Sequence, residues 1–349
     1  MRGLTTETLR KLPRAELHVH LDGSLRVETA LALAARQGLD LGASDAAALR
    51  ARVVPPARGG DLVTYLQAFD LTCSLMQNPD AVEQIAYELA LDHHADGVTY
   101  AEVRFCPSLL TQGSMTRAEA LRAAWRGLQR AEAEQGIVAR IIVCALRTLP
   151  LEDALLCVDA ALAGLDSGVV GFDVAGAERG HPASTFSAAL ARAADGGLGI
   201  TLHAGEAAGP ESVEDALAQP GVRRIGHGTA LRLSHELTMA VRDAGVTVEA
   251  CLTSNLQTGA VATLGEHPLP RWLAEGVQAT LCTDNTLVSD TTSSQEYRLA
   301  AEAFDLAPGE LRTLALAGFS ASFAEQGVRD RLLHSATRAW QGFTLAPGA

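Results

Sequence analysis

Apolar and polar positions alternate strictly at Leu17-His18-Val19-His20-Leu21-Asp22. Side chains two apart on a strand share a face, so this stretch reads as a strand presenting His18 and His20 side by side, with Asp22 next along the same face. The pattern then turns helical over Val27–Arg36, with Gly38 as a stop. Residues 40–60 are rich in Ala, Gly and Pro and read as short helices and loops. Behind Asp61, the residues Leu62, Tyr65, Leu66 and Phe69 fall at i, i+3, i+4 and i+7, the spacing of an amphipathic helix with an aspartate N-cap. Beyond it, the period switches back and forth. Val98–Phe105, Ile137–Leu146, Val169–Val174, Gly199–His203, Arg224–Gly226, Val246–Cys251 and Ala279–Thr283 read as strands. Ile137–Leu146 is almost continuously apolar, as befits a strand buried on both faces. Helices fall between the strands at about 117–135, 151–163, 184–194, 210–218, 233–243 and 268–275, and the chain finishes helical over about 293–305 and 308–341.

Eight strands separated by helices over ~250 residues or more predict an α/β chain folded as a (β/α)8 TIM barrel with extra helices. The alternative, an open doubly wound sheet, usually carries a Gly-rich phosphate loop after its first strand. None follows here. No linker interrupts the alternation, so residues 1–349 read as one domain. Its first loop carries an insertion over about 27–90, and the C-terminal helices cover about 293–341.

Composition narrows the partners. Hydrophobic residues make up 48% of the 349, enough for a large core, and the net charge is −13. An acidic chain without a long basic run is a poor match for a nucleic-acid backbone. A small nucleoside without phosphate is not excluded on that ground. The six cysteines form no Cys-x-x-Cys and sit mostly in apolar surroundings, as small buried hydrophobes of a reducing compartment do. No stretch approaches the ~18 apolar residues of a membrane span, and the first residues lack an apolar signal core. A cytoplasmic protein without a membrane or nucleic-acid partner is expected; the oligomeric state stays open.

The chemistry lies at strand ends. His18 and His20 close the first strand, His203 with Glu206 the fifth, His227 the sixth, and Asp284 with Asn285 the eighth. In a barrel of this kind the catalytic groups come from the C-terminal rim. Each residue alone has a plainer explanation, His203 or His227 as core histidines and Asp284 as a helix cap. Together they form a set of imidazoles and a carboxylate that suits Zn²⁺. Zinc lowers the pKa of a bound water toward neutrality. Glu206, three residues after a ligand, is the candidate proton donor, and His227 the candidate base or charge stabiliser.

The motifs are more specific than the fold. His-Val-His-Leu-Asp-Gly (18–23), Tyr-Ala-Glu-Val-Arg-Phe (100–105), Gly-Phe-Asp-Val-Ala-Gly-Ala-Glu (171–178), Thr-Leu-His-Ala-Gly-Glu (201–206), Arg-Ile-Gly-His-Gly (224–228), Thr-Ser-Asn-Leu-Gln-Thr (253–258) and Thr-Asp-Asn (283–285) follow in order. Over about residues 12–340 the chain resembles the adenosine deaminase family of the amidohydrolase superfamily. The resemblance implies one Zn²⁺ per chain held by His18, His20, His203 and Asp284, and hydrolysis of the 6-amino group of a purine nucleoside. It implies that Glu206 protonates purine N1 and that His227 and Asp284 orient and deprotonate the attacking water. It further implies that the Gly176 N–H reaches N3 and that Asp22 binds a ribose hydroxyl. Leu62, Tyr65, Leu66 and Phe69 would form an apolar lid.

Three positions depart from the family pattern: Asn285 for the usual second Asp, Ala177 for the usual Asp after the strand-four glycine, and Leu252 for the usual Pro after the strand-seven Cys. An Asn side chain donates at every pH, whereas an ionised Asp has no donor, so Asn285 is expected to bond purine N7 without titrating. The departures leave two other readings: deamination of another 6-aminopurine compound such as adenine or 6-aminodeoxyfutalosine, and an inactive ligand-binding barrel. The complete ligand set with Glu206 beside it speaks against the last.

Overall fold

A computed structural model describes residues 4–58 and 60–343. Its eight strands are β1 (Arg14–His20), β2 (Val98–Phe105), β3 (Val138–Leu146), β4 (Val169–Ala175), β5 (Gly199–Ala204), β6 (Val222–His227), β7 (Thr247–Ala250) and β8 (Ala279–Leu281). Each pairs in parallel with the next in sequence, in the order β1 to β8. The ring closes through one residue. Asp284, just past β8, bridges Val19, its N–H donating to the His18 carbonyl and its carbonyl accepting from the His20 N–H, both at 2.8 Å. This is the (β/α)8 barrel that the alternating periods predict.

The surrounding helices are cut by local chemistry. The helix Arg117–Gln135 begins in a capping box of Thr116 and Glu119 and ends at Gly136, whose φ of 79° suits only a residue without a Cβ. Its Leu121, Ala124, Leu128 and Ala131 are buried. All six cysteines are buried free thiols, as their apolar surroundings suggest. Among the described residues, no helix is long and apolar enough to cross a membrane.

Three segments differ from the pattern reading. The helix expected behind Asp61 is capped as expected, by Thr64 N–H on Asp61 Oδ1 at 3.0 Å. It breaks at Gln67 into Leu62–Leu66 and Ala68–Leu75, because Gln67 N–H bonds the i−3 carbonyl of Thr64 at 3.2 Å and tightens the turn. Before β2, where the pattern assigned no element, the chain forms a long helix, Pro79–Ala95, started by the Asn78 cap with Pro at N1. The last helix, expected over 308–341, is two: Pro308–Ala321 and Gln326–Gln341. The break is made by the barrel floor. Arg224 takes the Ala321 carbonyl at 2.9 Å and Glu102 the Phe323 N–H at 2.5 Å.

The barrel interior is charged rather than apolar. Arg104, Arg224, Glu16, Glu102, Asp173 and Glu249 are all fully buried. Glu249 accepts from Arg104 at 2.9 Å and Arg224 at 2.6 Å, and Arg104 also pairs with Asp173 at 2.7 Å. Buried ion pairs of this kind contribute little net stability, since desolvation offsets the attraction, but losing one partner is costly. Their place in this barrel is directly under the rim, where they hold the site.

Candidate active site

His18 and His20 project from the end of β1, His203 from β5, and Asp284 from the closing bridge. One ligand atom from each lies within 4.8 Å of all the others. His20 Nε2 stands 3.2 Å from His203 Nε2, and Asp284 Oδ1 is 3.4 Å from His18 Nε2 and 3.5 Å from His20 Nε2. The second nitrogens are engaged from below. His18 Nδ1 is 2.8 Å from Glu249 Oε2, and His203 Nδ1 is 2.9 Å from Asp173 Oδ2. The Glu249 carboxylate holds the proton on His18 Nδ1 and leaves its Nε2 lone pair aimed inward, while His203 Nδ1 lies close to Asp173 but outside hydrogen-bond geometry. His18 Nε2 is buried without a hydrogen-bond partner. Converging imidazole nitrogens and a carboxylate, with His18 Nε2 buried and unpaired among them, fit a divalent metal ion. The ring of His18 gets there past Gly226, where a Cβ would come within 2.8 Å of His18 Cε1.

His227 and Asp284 both hold left-handed backbone, at φ 65° and 60°. Such conformations cost roughly 1–3 kcal/mol at a non-glycine residue and gather at functional sites. Asp284 Oδ2 accepts from Ser254 at 2.5 Å. Glu206 Oε2 lies 3.6 Å from His227 Nε2. Burial pushes the Glu206 carboxyl well above the usual range, and the charges of Asp284 and Glu178 add to it. A carboxyl whose pKa is raised, beside a candidate metal site, is suited to donate a proton.

A chain of hydrogen bonds sets the tautomer of His227. The Leu269 N–H can only donate, so His267 Nδ1, 3.1 Å away, accepts and its proton sits on Nε2. Burial, with the nearby charge of Arg232, pushes the His267 pKa down to about 3, so the ring is neutral. His267 Nε2 lies 3.2 Å from Asn255 Oδ1, which turns the Asn255 amide nitrogen toward His227 Nδ1 at 3.0 Å. His227 Nδ1 is thereby an acceptor, and the proton of the neutral ring is on Nε2.

A cavity of about 290 Å³ opens over these groups. Asp22, Gly176, Asn285, Leu62, Tyr65, Leu66 and Phe69 all line it, so the structure brings every sequence-derived site residue to one place. Among the described residues the wall has no Lys or Arg, while Asp22, Asp70, Glu206 and Asp284 are all acidic. Asp22 is nearly fully buried, and burial pushes its carboxyl up to about 7. Its Oδ2 receives the Cys73 thiol at 3.8 Å and its Oδ1 has no partner. Asn285 is tied to the lid: its Nδ2 donates to the Tyr65 hydroxyl at 2.7 Å, and Tyr65 also meets Ser289 Oγ at 2.7 Å. One amide hydrogen is thus spent on the lid, leaving the other for a ligand. Of the other two departures, Ala177 lines the cavity and Leu252 is buried in the core behind it.

Glu249, Asp173, Arg104, Asn255, His267 and Glu178 go unassigned in the sequence reading. The available signal was a charge inside an otherwise apolar strand, as at Asp173 in Gly-Phe-Asp-Val and Glu249 in Val-Thr-Val-Glu-Ala, since unpaired charges are rarely fully buried.

Residues 13–339 match the family model described as adenosine deaminase. The chain belongs to the adenosine deaminase family. It is 41% identical over 323 residues to an adenosine deaminase of Haemophilus ducreyi, covering 91% of this chain and 94% of that one. A probable adenosine deaminase of Dictyostelium discoideum is 35% identical, and the chain spans 42% of its length. Among solved structures, adenine deaminase from Arthrobacter aurescens superposes with a TM-score of 0.88 at 26% identity, covering 95% of this chain and all of that one. The arabidopsis N6-mAMP deaminase superposes with a TM-score of 0.83 at 30% identity, covering 95% and 99%. The chain is a metal-dependent hydrolase of the amidohydrolase class that deaminates an aminopurine.

Proposed function

We propose that the enzyme converts adenosine and 2′-deoxyadenosine, with water, to inosine or 2′-deoxyinosine and ammonia, with one Zn²⁺ held by His18, His20, His203 and Asp284. The observation that carries this reading is the cavity: a metal-ligand cluster and a buried carboxyl with a raised pKa on one wall, an Asp22 oxygen without a hydrogen-bond partner on another, and, among the described residues, no Lys or Arg on it.

The bound ion would supply a water activated at neutral pH. The protein's own groups do the rest. The Glu206 carboxyl gives its proton to ring N1, which drains electron density from C6 and prepares it for addition. Asp284 takes the proton of the attacking water and passes it to the amino group, which leaves as ammonia when the C6–N bond breaks. His227, with its proton on Nε2, donates a hydrogen bond to the oxygen and does not act as a base. Of the two roles open to it from the sequence, stabiliser fits the tautomer that Asn255 and His267 impose. Gly176 N–H is assigned to N3, and the remaining N–H of Asn285 to N7. Asp22 Oδ1 is assigned to a ribose hydroxyl. Leu62, Tyr65, Leu66 and Phe69 cover the ring and keep water out.

The sugar makes the substrate choice testable. Free adenine offers Asp22 no hydroxyl, and a 5′-phosphate would find four acidic side chains and, among the described residues, no Lys or Arg in the cavity wall. Release of ammonia, or of methylamine from N6-methyl-AMP, should therefore show a higher kcat/KM for adenosine than for adenine, AMP or N6-methyl-AMP. Asp22→Ala should lower the adenosine value by about 1–3 kcal/mol, the usual cost of an unsatisfied buried polar partner, and leave adenine almost unchanged. A higher kcat/KM for adenine in the wild type would transfer the assignment to the free base, as in the Arthrobacter relative.

The relay to His227 carries its own prediction. Asn255→Asp replaces a donor by an acceptor, so His227 Nδ1 must take the proton and Nε2 becomes an acceptor. Imidazole ¹⁵N spectra should show His227 changing from the Nε2–H to the Nδ1–H form, with kcat falling about 10²-fold as an oxyanion donor is lost. Unchanged spectra and rate would return His227 to the role of base.

A further inference from the structure

Glu178 is the most heavily bonded side chain near the site that the reaction does not use. It follows β4, two residues beyond Gly176, and is 4% exposed. Its carboxylate accepts four consecutive backbone N–H groups from the loop after β5. Oε1 takes Gly205 at 2.5 Å, and Oε2 takes Glu206 at 3.0 Å, Ala207 at 2.5 Å and Ala208 at 3.0 Å. The Ser212 hydroxyl donates to Oε1 as well. Consecutive N–H groups turned to one point form an anion-binding nest. Here the anion is supplied from the neighbouring loop.

We propose that Glu178 is the positioning residue that fixes the proton donor Glu206 against the substrate ring by tying the loop after β4 to the loop after β5. The geometry ties two contacts together. The β4 loop carries Gly176, assigned to purine N3, and the β5 loop carries Glu206, assigned to N1. These atoms lie on the same six-membered ring, so the spacing of the two loops must match the spacing of two ring nitrogens. The Gly205 carbonyl accepts from Ala230 N–H at 2.9 Å and Thr229 Oγ1 at 2.6 Å, and the Ala207 carbonyl from Arg179 at 3.0 Å, but these bonds leave the N–H groups of Gly205-Glu206-Ala207-Ala208 to be held. One carboxylate holds all four. The inference rests on the proposed role of Glu206, and it adds a residue that touches neither metal nor substrate.

The nest is reachable from outside. A second cavity of about 540 Å³ is lined by Glu178, Ala207, Ala208 and Gly209, and shares Leu62, Ala177 and Glu206 with the substrate cavity. A small carboxylate can therefore stand in for the missing side chain, which gives a test that a merely structural residue would fail. In Glu178→Ala holoenzyme, kcat for adenosine should fall about 10²-fold, the scale of loss for a reacting group displaced by about 1 Å. KM and metal content should stay near those of the wild type. Formate should restore most of the lost kcat in a saturable way, and the larger benzoate should not. Hydrogen exchange of the 205–208 amides should quicken in the variant and slow again with formate, a readout that needs no substrate. If Glu178→Ala does not fold, Glu178→Asp keeps the charge but draws it back by one methylene. It should fold, lose kcat and keep KM. Wild-type kcat in either variant, or a loss in folded Glu178→Ala that formate does not touch, overturns the proposal. Failure of the functional reading shows separately, as wild-type enzyme that releases no ammonia from adenosine while the amide exchange still responds to formate.

Discussion

Glu206→Gln should keep its metal and its fold and lose about 10²–10⁴-fold in kcat, the usual contribution of a positioned acid or base. Glutamine is the informative replacement. It matches the shape of the carboxyl and can still donate a hydrogen bond toward N1, but it cannot deliver a proton. The size of the loss therefore reports proton transfer and not mere contact. Burial first, then the negative charges of Asp284 and Glu178, raise the Glu206 pKa. The active form is the protonated one. Wild-type activity should accordingly persist above the ordinary carboxylate range and fall as pH rises through that raised pKa, and the small residual rate of the Gln variant should lack this descending limb. Metal analysis of the purified variant, with kcat measured across pH, checks both points. A Gln variant within a few-fold of wild type would remove Glu206 from the role of acid.

Much of this site is legible in the sequence, and the reason is positional. His18, His20, His203, His227 and Asp284 each stand at the end of a predicted strand. The parallel barrel brings all such ends to one rim, so order along the chain is enough to infer proximity. The residues that aim these ligands are not legible in the same way. Glu249 is bonded to His18 across 231 positions, and Asn255 takes its meaning from His267 and His227 together. Such partners are defined by contact across the barrel, and periodicity says nothing about which buried charge meets which. The helix breaks fail for a related cause. No Gly or Pro marks residues 322–325, and the chain leaves the helix there because Glu102 and Arg224 in the barrel floor claim its backbone groups. Asn285 stands between these cases. Its donor character follows from its identity alone, but its bond to Tyr65 shows that the helix Leu62–Leu66, proposed as a lid, and the loop after β8 share one polar contact. A residue read as a substrate contact is therefore also a fastening for the cover above the substrate.

Loss of one imidazole should cost the whole metal site. His20 Nε2 and His203 Nε2 face each other at 3.2 Å with Asp284 Oδ1 3.5 Å from the first, an arrangement backed by Glu249, Asp173 and the arginine between them. That preorganisation makes the site tight for a divalent ion. Purified protein should carry about one zinc per chain, as a single cluster of four ligands requires. His203→Ala should abolish metal binding and activity together, because two histidines of one strand and a carboxylate no longer close the shell. A ligand that binds only the folded state raises its stability by mass action. Chelation should therefore lower the melting temperature of the wild type, and added zinc should restore it. His203→Ala should melt at one temperature with or without chelator. Asp173→Asn and Glu249→Gln should lie between these limits, with metal affinity reduced about 10–100-fold, the usual cost of removing the partner of a metal-bound histidine. Full activity in a metal-free His203→Ala protein would refute the metal role of the cluster. Equal affinity in Asp173→Asn and wild type would show that His203 is held by the barrel alone.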